Sequence, residues 1–223
     1  MSETTALMRC LQLASPGLPI GAYAYSQGLE MAVELGWVNN ATDLELWLQD
    51  QIAQSIAYVD LPVLLRLYDA ATANDNAGYT RWSAQLIAMR ETRELRADDG
   101  DRGLALARLL RDLGVTHLNL PAACKLPLAA SFACAAVHWQ IARTPCAQTY
   151  AWAWLEGQVL AGVKLIPLGQ VAGQRLLCVL AEPLAAVVSI ALTLDDDDIG
   201  ASLPALAMAS ALHETQYTRL FRS

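Results

Sequence analysis

Apolar residues recur three and four positions apart almost throughout this chain, and no segment alternates cleanly between apolar and polar. Such a period buries a continuous apolar stripe only when wound as a helix, so an all-α fold is expected. Leu7, Met8, Cys10, Leu11 and Ala14 mark a first helix over Thr4 to Ala14. It must stop at Ser15-Pro16-Gly17-Leu18-Pro19, because two prolines around a glycine cannot continue it. Ile20 to Tyr25 is short and can be extended. Ser26 reads as an N-cap for a helix that reaches Leu35 and ends at Gly36. Thr42 opens the next segment, where Leu44, Leu48, Ile52 and Ile56 fall four apart and Pro62 kinks or divides the run.

Ala73 to Gly78 reads as a turn and Tyr79 to Arg96 as a helix with a charged end. Asp98-Asp99-Gly100-Asp101 separates that helix from Gly103 to Leu113. Gly114 to Pro121 is the best internal boundary, but no composition shift makes it a domain linker. Further helices are expected over Pro121 to Gln140, Pro145 to Ile166, Gln174 to Leu180 and Pro183 to Leu194. Asp195 to Asp198 crowd the start of a last helix that reaches about His213. The expectation is a single compact domain, residues 1–223, of about ten helices.

Composition narrows the function. Hydrophobic residues make up 55% of the 223 and charged residues 17%, which excludes disorder and leaves an apolar excess to explain. A membrane span does not explain it. The charge-free stretch Leu126 to Ala142 has 17 residues and contains Pro127, His138 and Gln140, whereas a span needs about 20 mostly apolar ones. Extra apolar surface for partners is the remaining reading. The net charge of −7 argues against a general nucleic-acid binder, which needs a basic face. Five cysteines without CxxC spacing, and an N-terminus MSETTALMRC without a long apolar run, point to a reduced cytoplasmic protein. Zinc-type ligand spacing is absent, as are GxGxxG and GxxxxGK[ST] loops.

Candidate chemistry is sparse. His117 reads as a loop residue and His138, in Ala136-Val137-His138-Trp139, as a core or interface histidine. The run Asp195 to Asp198 suits a helix N-terminus better than a hard cation. Glu156 lies in an apolar helix and either has a buried, functional carboxyl or is a side chain at the helix edge or paired with Lys164. Lys164, one of only two lysines, sits among apolar neighbours. Arg90 to Arg96 reads by default as a solvated helix face with pairs such as Arg90–Glu94, and otherwise as a docking face. The tail His213-Glu214-Thr215-Gln216-Tyr217-Thr218-Arg219-Leu220-Phe221-Arg222-Ser223 interleaves aromatics with arginine, the residue types of interface hot spots. An interaction protein is favoured over an enzyme.

Several blocks are also similar to a known family. Leu11 to Glu30 (LQLASPGLPIGAYAYSQGLE), Arg90 to Arg96 (RETRELR), Ala161 to Gln170 (AGVKLIPLGQ), Ser202 to Ala207 (SLPALA) and the tail resemble, in order, the UreF family of urease accessory proteins. Gly21-Ala22 and Ala24 stand where the family often has two glycines and a serine, and Ala211-Leu212 where more polar residues are usual. The resemblance implies an all-α homodimer in the cytoplasm that is not an enzyme and carries no cofactor. It implies a scaffold that joins UreD (also called UreH) and the nickel-carrying GTPase UreG on apo-urease for GTP-dependent nickel insertion. Neither nucleic acid nor membrane is a partner. Residues 1–25 are then an N-terminal docking segment and 213–223 a docking tail. Tyr217, Arg219, Phe221 and Arg222 are the expected partner contacts at one end, and Tyr23, Tyr25 and Gln27 at the other. Lys164 is the candidate for influencing the GTPase, and Arg90 and Glu94 serve docking or structure. Two other classes stay open: an enzyme with a site around Glu156, Lys164 and His138, and a nickel-binding metallochaperone that uses the aspartate run.

Overall fold

The computed structural model describes residues 2–115 and 126–223. Within them the chain is helical, with no strand, in one compact all-α domain. In chain order the helices are α1 (Glu3–Ala14), α2 (Leu29–Glu34), α3 (Ala41–Gln51), α4 (Leu61–Ala73), α5 (Asn76–Ala88), α6 (Arg93–Asp112), α7 (Leu128–His138), α8 (Arg143–Leu165), α9 (Gln170–Thr193) and α10 (Pro204–His213). The reading for His117, most of the Gly114 to Pro121 boundary and the start of a helix at Pro121 lie outside the described residues.

The core is centred on α4. Leu61, Val63, Leu64, Leu65 and Leu67 are fully buried, because α7, α5, α8 and α9 surround this helix. α8 packs on α9 and carries α1 on its other side, while α10 lies across α2 and α6. Local chemistry sets several helix starts. Asn40 accepts hydrogen bonds from the Thr42 and Asp43 amides at 2.9 and 3.1 Å, and Asp75 accepts from Gly78 at 2.9 Å.

Several segments differ from the sequence expectation. Pro62 does not divide its run. A π-helical segment, Ile52–Asp60, joins α3 to α4, and Pro62 lies in the first turn of α4. Proline has no N–H to give back to the preceding turn, and the Tyr58 carbonyl instead accepts the Gly200 amide at 2.9 Å.

The helix expected over Tyr79 to Arg96 breaks at residues 89–92, where Thr92 caps α6 by accepting the Leu95 amide at 3.1 Å. Asp98-Asp99-Gly100-Asp101 is not a separator but lies inside α6. Asp98 and Asp99 are buried there and fully partnered, so the helix has no need to unwind. Gly103 lets α6 meet the start of α7 closely; a Cβ there would collide with the Leu126 carbonyl oxygen.

Pro183 does not start a helix but lies inside α9. The carbonyl it leaves without a donor belongs to Val179, on the half-exposed side of the helix, where water can serve it. The uninterrupted α9 is long and apolar enough to cross a membrane by length and composition alone; here it packs against α8 and the π-helical segment. Asp196 to Asp198 form a 3₁₀ turn, and α10 starts only at Pro204.

Candidate functional site

The N-terminal segment and the C-terminal tail, nearly the full chain length apart, form one seam. Ala22–Ala24 make a 3₁₀ turn, and Gln27 and Gly28 then take left-handed backbone conformations at φ 53° and 81°. Gln27 pays for this geometry as a non-glycine residue, a cost of about 1 kcal/mol or more that neighbouring contacts must offset. Those contacts are present. The turn aims the Ser26 and Gln27 amides at the Ser223 main-chain oxygen, at 2.5 and 3.0 Å, and the Ser26 hydroxyl adds a third bond at 2.7 Å. The Arg222 amide donates to the Ala24 carbonyl at 2.7 Å.

The Glu30 carboxylate, buried at the start of α2, accepts the Leu220 and Phe221 amides at 2.6 and 2.8 Å. It also faces His213 Nε2 at 3.1 Å. The other ring nitrogen, Nδ1, lies 2.7 Å from a Glu94 oxygen, and the second Glu94 oxygen accepts from Arg219 at 2.8 Å. Hydrogen bonds to charged groups contribute roughly 1.5–3 kcal/mol each, so this set holds the tail firmly against α2 and α6. Phe221 is buried and its ring fills a slot beside Lys164, whose Nζ stands 5.7 Å from it and 6.0 Å from the Tyr23 ring.

Beneath the seam lies a charged cluster. The Gln27 side chain is its hub: its amide nitrogen donates to Asp98 at 2.8 Å, while its oxygen accepts from Trp154 at 3.0 Å and Gln158 at 3.1 Å. Arg102 forks onto Asp98. Arg90 bridges Asp60 at 2.5 Å and Asp99 at 2.9 Å. Asp60 also accepts from Ser55, and Asp99 caps the Leu128 amide.

Burial pulls the Arg90 guanidinium down, but Asp60 and Asp99 outweigh it, so its pKa rises well above the ordinary value. Burial pushes the Asp98 carboxyl up, and Arg102 and Gln27 only partly reverse that. The Tyr25 phenol is likewise raised by burial, against a hydrogen bond from Arg222. These groups and the seam enclose a cleft of about 170 Å³.

The expected contact residues therefore separate into two sets. Tyr23, Lys164, Tyr217 and Arg222 are exposed, Tyr217 completely, while Arg219 is exposed and also holds Glu94. Tyr25, Gln27, Arg90, Glu94 and Phe221 turn inward and hold the seam. The pair Arg90–Glu94 does not form. Arg90 precedes α6 and serves Asp60 and Asp99, while Glu94 serves His213 and Arg219.

The core histidine is His213 and not His138, which is exposed at the end of α7. Sequence reasoning also missed Asp98 and Asp99. The available signal was their helical spacing between Leu95, Leu106 and Leu110: charges on an otherwise apolar stripe imply buried partners.

The residues of the enzyme reading do not converge. Glu156, raised by burial, forms no ion pair with Lys164, and His138 belongs to another helix. Asp196 pairs with Arg66 at 2.6 Å, and the described residues contain no grouping of three or more acidic, His or Cys side chains able to hold a metal.

Comparisons with known proteins point to one family. A family model for UreF matches residues 38–181. Over the full length of both chains, the sequence is 52% identical to the urease accessory protein UreF of Pseudomonas putida strain W619. It is 48% identical to that of Alcanivorax borkumensis, over 99% of this chain and all of the other. The urease accessory protein UreF of Klebsiella pneumoniae strain 342 is 46% identical over all of both chains. A family model that covers most of the chain and full-length relatives near half identity place this protein in the UreF family of urease accessory proteins.

Proposed function

We propose that this chain serves urease maturation as a non-enzymatic scaffold that joins UreD and the GTPase UreG on apo-urease for GTP-dependent nickel insertion. It works in the cytoplasm as a homodimer, with nickel as cargo. The observation that carries the docking part is the seam. Its main chain is pinned by Glu30, Ser26 and Ala24, yet Tyr23, Leu220 and Tyr217 project into solvent, with exposures of 73%, 65% and 102%. A rigid backbone that presents aromatic and aliphatic side chains binds without a large ordering cost.

Tyr23, Lys164, Tyr217, Arg219 and Arg222 are assigned as partner contacts. Tyr25, Gln27, Arg90, Glu94 and Phe221 act through the geometry they impose. The outer side of α1, with Leu7, Met8 and Leu11 more than half exposed, extends the docking segment of residues 1–25. The exposed Val171, Val179 and Ile190 of α9 give a second copy apolar surface to bury.

The test is co-purification of Tyr217→Ala and Leu220→Ala variants with UreD and UreG. Both side chains are exposed, so far-UV signal and thermal stability stay as in the parent while capture of one partner falls. Retained capture of both partners by both variants rejects the assignment. Deleting the whole tail is a weaker test, because it also takes Phe221 from the core and strips Glu30 and Glu94 of partners. In cells that lack only this chain, apo-urease without nickel should accumulate, and restoring the chain should load it.

A further inference from the structure

His213 is fully buried, and each of its ring nitrogens faces a carboxylate oxygen, Nδ1 toward Glu94 at 2.7 Å and Nε2 toward Glu30 at 3.1 Å. A neutral imidazole has one N–H and one bare lone pair. In this site the bare nitrogen would meet a carboxylate oxygen within hydrogen-bond distance and repel it. The imidazolium, with a proton on each nitrogen, satisfies both contacts while leaving both carboxylates charged, the form that their bonds from Arg219 and the Leu220 and Phe221 amides favour.

The charges around the ring agree. α2 contributes Glu30, α6 contributes Glu94, and the tail contributes Arg219 on the far oxygen of Glu94. With His213 protonated, two positive charges face two negative ones, whereas a neutral ring leaves one buried negative charge uncompensated. On the histidine's own side, Glu214 is engaged by Arg93 at 3.6 Å and does not enter the set. The same Glu30 carboxylate also holds the Leu220 and Phe221 amides.

We propose that His213 is a positioning residue that, as an imidazolium, locks the tail onto α2 and α6, and that loss of one ring proton releases the tail. The inference rests on the docking reading above only for its consequence, that tail-dependent partner capture weakens as pH rises through the titration of this ring. The lock itself lies within the chain. The sign follows directly. The protonated ring neutralises the two carboxylates, so the locked form is favoured on the acid side of the titration and lost on the alkaline side.

The test uses the full chain labelled with ¹⁵N, followed from about pH 6 to about pH 10, beyond the ordinary histidine range. The ring nitrogens of His213, identified by their loss in His213→Gln, should both carry imidazolium shifts near neutrality. As the ring titrates, the exchange protection of the Leu220 and Phe221 amides should fall at least about tenfold, while amides of α4 keep theirs. His213→Gln, whose donors sit on a single nitrogen and so do not replace both ring nitrogens, should show weak tail protection that does not change with the ring's titration range.

A ring with a bare nitrogen near neutrality beside a protected tail overturns the proposal. So does unchanged protection across the titration, or a ring that does not titrate in this range. If His213→Gln fails to fold, the ring shifts and the protection of the parent chain still decide. Capture of UreD, measured at the same pH values, is read separately. Its insensitivity to a tail that demonstrably opens would reject the docking reading and leave the lock standing.

Discussion

Arg90 offers the most demanding test of the cluster under the seam. Its guanidinium is nearly buried and bridges two carboxylates, Asp60 at 2.5 Å and Asp99 at 2.9 Å. Replacing Arg90 by Ala leaves both carboxylates buried without a cation. Ser55 still donates to Asp60, and the Leu128 amide to Asp99, each at 2.8 Å, so neither oxygen pair is wholly stripped. Removing one partner of a buried ion pair costs about 3–5 kcal/mol, and this residue serves two pairs, so the upper half of that range is expected. A domain of this size has roughly 5–15 kcal/mol to lose. At about 2–4 °C per kcal/mol, the melting temperature should drop by about 8–20 °C.

Urea denaturation monitored by circular dichroism, with a thermal scan, measures both quantities. Arg90→Lys should fall between, because one ammonium cannot fork onto two carboxylates. The triple change Arg90→Met, Asp60→Asn, Asp99→Asn removes the charges together and should recover much of the loss. A loss below about 1 kcal/mol for Arg90→Ala, or a triple variant no better than the single one, would falsify the claim that this cluster is a buried, mutually dependent set.

Other consequences can be checked with the same assays. Tyr79 is buried and donates to the Ala130 carbonyl at 2.5 Å, and burial holds its phenol well above its usual value of 10.0; Tyr150 is raised for the same first reason. The unfolded chain therefore loses these protons first, and stability should decline above about pH 10 as pH moves toward the folded-state values. Tyr79→Phe and Tyr150→Phe should flatten that decline. At Gln27 the ordinary order of substitutions should reverse: Gln27→Gly should be more stable than Gln27→Ala by about 0.5–1 kcal/mol, because the left-handed φ strains alanine and both variants lose the bonds to Asp98, Trp154 and Gln158. Gly103→Ala should destabilise by about 1–3 kcal/mol, since a Cβ would meet the main chain of the α6–α7 contact; a neutral result in denaturant titration would contradict that close approach.

Local periodicity decided the fold class of this protein. Helices form from contacts three and four residues apart, so Leu44, Leu48, Ile52 and Ile56 announce their helical run without help from distant residues. The ordered blocks from Leu11 to the tail carried the family for a similar reason, since residue identity in sequence suffices for a resemblance. Which way each side chain faces was not legible. Glu30 meets Leu220 across 190 residues, and Glu94 meets His213 across 119, so no local pattern distinguishes them from surface carboxylates.

The same holds for Asp98 and Asp99, which read as a break because charge usually means solvent. Arg90, Arg102, Gln27 and the Leu128 amide satisfy them inside the fold, and the helix continues. The tail shows the division most clearly. Its composition marked it as interface material, and its aromatic and arginine residues do lie in contacts or in solvent. Tertiary structure alone decided that Phe221 and the main chain belong to the protein's own core, while Tyr217 and Leu220 remain outside. The physical reason is that burial and hydrogen-bond satisfaction are set by whichever segments the whole chain brings together.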